Sequence, residues 1–92
     1  MHPDTALSVR LDAICARHQH EADHAAVIAE LRAAASDRPD ILHETVGEWV
    51  GYFDDDWRHG MCVALLEAFP AAAENVEIGR RRRGHVHGTP GF

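Results

Sequence analysis

The segment His20-Glu21-Ala22-Asp23-His24 satisfies H-E-x-x-H. At that spacing on a helix, two imidazoles one turn apart hold zinc and the intervening glutamate serves as general base. Several features argue against a protease: Asp23 puts a charge inside the motif, no third ligand of the G-x-x-H type follows, and 92 residues are few for a substrate cleft. Eight histidines in a chain of this length also make chance matches common. The motif therefore reads as a metal-ligating pair, His20 and His24, for which Glu21 and His59 are the further candidates, with zinc or iron as the ion.

Two carboxylate-x-x-His units, Glu21 with His24 and Asp56 with His59, match the way helical bundles assemble di-iron centres. Glu44 and Glu48 would have to complete such a set, and helical spacing turns both away from the stripe that contains Trp49. His59-x-x-Cys62 has no second ligand pair to close a tetrahedral site. The competing explanation is that His18, His20 and His24 form a polar helix junction that titrates at about pH 6 to 7. That explanation is favoured, so no cofactor is expected and the metal-binding bundle is kept as the alternative.

Nucleophilic chemistry lacks its parts. Ser8 and Ser36 have no nucleophile-elbow context, the chain contains no lysine, and no glycine-rich phosphate loop occurs. A non-enzymatic role is expected.

Charge is divided sharply along the chain. Residues 1–79 carry all fifteen carboxylates against five arginines, a formal charge of −10, and Arg80, Arg81, Arg82 and Arg83 then reverse the sign. An acidic body repels phosphates, so contact with nucleic acid is expected only through residues 80–83, with His85 and His87 as auxiliary donors. Apart from Phe92, that stretch lacks the aromatic residues on which bases stack.

The elements that must position these residues are helices. Leu7, Leu11, Ile14, Cys15 and His18 share one stripe after a start near Asp4 or Thr5, whereas Val27, Ile28, Leu31 and Ala35 lie on another face. Two helices meeting within Arg17–Glu21 are preferred over one long helix. Ser36-Asp37-Arg38-Pro39-Asp40 marks a clear boundary. A third helix carries Leu42, Thr45, Val46, Trp49, Val50 and Phe53, with Gly47 and Gly51 on its opposite face. Each glycine costs about 1 kcal/mol against alanine in a helix. The pair therefore marks either a local weakness or a flat patch for close backbone approach, and it is a candidate partner contact. Asp54-Asp55-Asp56 reads as a cap for a fourth helix bearing Trp57, Met61, Leu65 and Phe69, which Pro70 ends or kinks. One or two further turns are expected over Ala71–Ile78.

The expected fold is all-α, a small bundle of about four helices, comprising an acidic domain over 1–79 and a flexible basic tail over 80–92. Fifteen alanines make for a thin core, so a homodimer or a protein partner covering one face is expected. Cys15 and Cys62 read as buried reduced thiols. No apolar run reaches the roughly 20 residues a membrane span requires, and the first residues lack a signal-peptide pattern. A cytoplasmic protein without membrane contact is expected. The functional expectation is a protein-interaction module, an inhibitor or adaptor, whose acidic helical surface binds a basic partner. Arg80–Arg83 would add an electrostatic contact. A regulator touching nucleic acid through that Arg run is the further alternative.

Overall fold

The structure is a computed structural model that describes residues 2–53 and 59–86. Among these it forms five α-helices and one 3₁₀ turn, with no strand: α1 (Pro3–His18), α2 (Ala25–Ala34), α3 (Pro39–Tyr52), α4 (His59–Ala68), a 3₁₀ turn (Pro70–Asn75) and α5 (Val76–Val86). The all-α expectation holds. The Asp54–Asp56 cap, Trp57, and the tail from His87 to Phe92 lie outside the described residues.

Proline sets two of the helix starts. Pro3 and Pro39 open α1 and α3 at a position whose N–H has no intrahelical acceptor. The α1 cap is His2, whose Nδ1 accepts from the Asp4 N–H at 3.1 Å, and not Asp4 or Thr5 as expected. At α2, Asp23 Oδ1 accepts from the Ala25 N–H at 3.0 Å, so this charged residue of the H-E-x-x-H segment serves the start of a helix. Arg38, just before α3, bonds both oxygens of Asp40 and, at 2.7 Å, Asp4 of α1.

The stripes converge on one core. Leu11, Ile14, Val27, Leu31, Val46, Trp49, Leu65 and Phe69 are buried together, drawn from α1 to α4 and the residue that follows α4. Two hydrogen bonds fix how α1 meets α3: Ser8 Oγ with Thr45 Oγ1 at 3.4 Å and Trp49 Nε1 to Asp12 Oδ1 at 2.7 Å. Both join residues 37 apart in sequence, so α1 and α3 run side by side in the same direction and in register.

The far face of α3 is closed by the chain itself. Gly47 and Gly51 are buried beneath the 3₁₀ turn and α5. A Cβ on Gly47 would strike Ala72 O and lie 2.5 Å from Asn75 Cβ, and one on Gly51 would strike Val76 O and lie 2.7 Å from Arg80 N. Reciprocally, a Cβ on Gly79 would strike Glu48 O and lie 2.8 Å from Tyr52 N. Three glycines thus bring two helix backbones into direct contact, which no larger residue permits.

Residue 79 is a packing residue inside α5, and the backbone of Arg80–Arg83 continues that helix, so the first part of the basic stretch expected as a tail is helical. The short turns expected over Ala71–Ile78 are a 3₁₀ turn followed by a helix of eleven residues. No helix among the described residues is long and apolar enough to cross a membrane.

Candidate functional site

The H-E-x-x-H residues do not lie on one helix. α1 ends at His18, and residues 19–24 form a turn and loop before α2. The one-turn spacing that would stack His20 above His24 is therefore absent. His20 is exposed, and His24 sits at the start of α2, with its Nδ1 buried and lacking a hydrogen-bond partner among the described residues. His59 opens α4 and is exposed, while Asp56 lies outside the described residues. Among the described residues no group of three or more His, Cys, Asp or Glu is arranged to hold a metal ion.

Glu21 is instead committed to His18. The His18 ring, whose side chain is 11% exposed, places Nδ1 2.7 Å from Glu21 Oε1 and Nε2 3.0 Å from Glu30 Oε1. Carboxylates only accept, so a ring bonded at both nitrogens must carry both protons. Bonding to Glu21 first, and then to Glu30, holds the His18 pKa above its ordinary value. His18, with help from Arg17, which bonds Glu30 Oε2 at 2.6 Å, holds the Glu30 carboxyl below its usual range. This cluster explains why α1 stops without glycine or proline: a charged clamp reaches from its last residue to the loop and to α2. His20, exposed in the turn, and His24, half-buried, stand at a polar junction as expected, whereas the His18 ring is buried between two carboxylates.

A different site lies between α1 and α3. An open groove of about 650 Å³ follows the register described above, with α4 contributing Met61, Cys62 and Leu65. Carboxylates stand on both walls, Asp4 and Asp12 from α1 and Glu44 and Glu48 from α3, and among the described residues no basic side chain lines it. Toward the C-terminal ends of the two helices the lining becomes apolar and sulfur-rich, with Cys15, Trp49, Phe53 and Met61. Arg38 bonds Asp4 at the other end and, with a smaller contribution from His2, keeps that carboxyl below its usual pKa against the opposing charge of Asp40. At the middle of the groove the Asp12 carboxylate accepts from the Trp49 indole.

The parallel arrangement adds to this charge. α1 and α3 present their carbonyl-bearing C-terminal ends at the same end of the groove, and each carries partial negative charge. Toward that C-terminal end charge and dipole together favour a cation over an anion. Glu44 and Glu48, expected to face away from the Trp49 stripe, share a wall with it. Asp12 went unnoticed in the sequence, although Asp4, Ser8 and Asp12 at intervals of four mark a polar edge of α1.

The glycine pair serves the fold: the close backbone approach is made at Gly47 by the 3₁₀ turn and at Gly51 by α5, both of the same chain, instead of by a partner. Arg80 and Arg81 are exposed on α5, Arg80 lying 3.6 Å from Glu77 in a solvated pair. Arg82 and Arg83 continue the helix backbone. No known protein-family model, curated protein or solved structure matches the chain.

Proposed function

We propose that this chain is a non-enzymatic interaction module, an adaptor or inhibitor, which holds a basic protein partner against its acidic helical surface. The observation that carries this reading is the α1/α3 groove, where four carboxylates, Asp4 of them paired with Arg38, border an apolar floor and no basic residue is among the described lining. An open channel of mixed character suits recognition of another macromolecule, because apolar contacts supply affinity and the charges supply orientation and rate. Two cysteines in 92 residues do not make the dense disulfide framework of a small secreted domain, which supports action in the cytoplasm. A photo-cross-linking residue at position 44, compared with one at position 74, tests the reading in cells of the native source. The reading requires a basic protein joined at position 44, released by raised salt in the uncross-linked complex, and absent at position 74. Equal yields at both positions contradict it.

A second reading rests on α5. Arg80 and Arg81 project from a helix anchored through Gly79, a firmer display of charge than a free tail. Such a pair could contact nucleic-acid phosphates. Salt-dependent retention of duplex DNA, lost in Arg80→Ala/Arg81→Ala, would support it, and equal retention by wild type and variant would dismiss it.

A further inference from the structure

We infer that the occupant of the α1/α3 groove is a single basic amphipathic helix of the partner, laid along the groove with one stripe of apolar side chains inserted. This rests on the reading of the chain as a module for a basic partner and specifies the shape of what it binds.

Length and volume select the mode of seating. Sixteen residues of α1 span about 24 Å at the helical rise of 1.5 Å per residue. A volume of about 650 Å³ spread over that length admits a row of side chains, not the whole cylinder of a helix. The occupant therefore lies over the groove and inserts side chains spaced at i, i+3/i+4 and i+7, the pattern of helix-in-groove recognition.

Backbone chemistry selects helix over extended chain. An extended peptide gains its affinity by pairing with a strand edge, and the described residues contain no strand. This all-helical surface offers its N–H and C=O groups no regular backbone ladder, whereas a helix satisfies them internally. Charge then orients the occupant. Its largest apolar side chain belongs at the end formed by Cys15, Phe53 and Met61, and its arginines or lysines flank the stripe toward Asp12, Glu44 and Glu48.

The test uses the full chain and a fluorescently labelled, amidated helical peptide of about 18 residues, long enough to span the groove. Leucines occupy one face and arginines flank them; a control peptide has the same composition in scrambled order. Anisotropy should report binding of the amphipathic peptide at least about tenfold tighter than the scrambled one. Ala16→Trp, which fills the groove from the exposed side of α1, should weaken binding by about tenfold while circular dichroism and the thermal midpoint hold. Asp12→Asn/Glu44→Gln should weaken it several-fold and flatten its salt dependence, whereas Glu67→Gln/Glu74→Gln, an equal charge change elsewhere, should leave it within about twofold.

Equal affinity for the two peptides, or full affinity in a folded Ala16→Trp chain, overturns the helix-in-groove inference and leaves the basic-partner reading standing. Failure of both peptides to bind at low salt overturns both.

Discussion

The indole N–H of Trp49 donates to Asp12 Oδ1 at 2.7 Å, joining α3 to α1 beside the groove they enclose. Trp49 is buried and Asp12 exposed, so the bond spans the boundary between core and solvent. Asp12→Ala leaves the indole N–H without its acceptor and should lower stability by about 1 kcal/mol. Asp12→Asn retains an acceptor oxygen and should cost less. Urea titrations of the two variants, repeated in a Trp49→Phe background where the difference should vanish, provide the check.

The α3/α5 contact gives the sharpest stability contrast among the glycines. At Gly47, Gly51 and Gly79 an added methyl strikes backbone atoms, which no rotamer change relieves. Each substitution by alanine should destabilise by about 2 kcal/mol or more, in the middle to upper part of the usual overpacking range. Among the described residues Gly60→Ala meets only His24 Nε2, at 3.8 Å, an ordinary contact. It lies in α4 and should stabilise by several tenths of a kcal/mol, as glycine-to-alanine changes do at compatible helical sites. Thermal and chemical denaturation of the four single variants would expose any failure of this ordering.

The His18 clamp makes stability depend on pH in two directions. His18 has a raised folded-state pKa, so its contribution is complete below the unfolded value of 6.5 and declines as pH rises through the folded one. Glu30 has a lowered folded-state pKa, so its contribution is complete above the unfolded value of 4.5 and declines as pH falls through the folded one. The clamp is therefore strongest between pH 4.5 and 6.5. Melting temperature in the His18→Gln chain should lose the decline above pH 6.5 that the wild type shows, and NMR titration of the ring should place its pKa above that value. A ring that titrates at or below 6.5 would contradict the double bond to carboxylates.

The core was legible in sequence because helical spacing alone groups Leu11 with Ile14, Val27 with Leu31, and Val46 with Trp49, and each group is buried. Helix α5 was hard to see for a physical reason: it is held by Gly79 against the α3 backbone, a contact that leaves no apolar stripe among residues 80–83. The H-E-x-x-H match misled because the pattern presumes an unbroken helix, and α1 is ended at His18 by carboxylates at positions 21 and 30, the second of them twelve residues away. The groove was hidden for a similar reason. Its walls are 37 residues apart, and only the tertiary register brings Asp12 to Trp49.

The central claim is that the acid-lined groove is the partner-binding face. The most direct measurement is a titration of the ¹⁵N-labelled chain with the leucine-arginine helical peptide, followed by amide and indole chemical shifts. The account requires the largest changes at Ser8, Asp12, Cys15, Thr45 and the Trp49 indole, with little change at Gly79 and Arg80. Changes centred on α5, or spread evenly over the acidic surface, would contradict it.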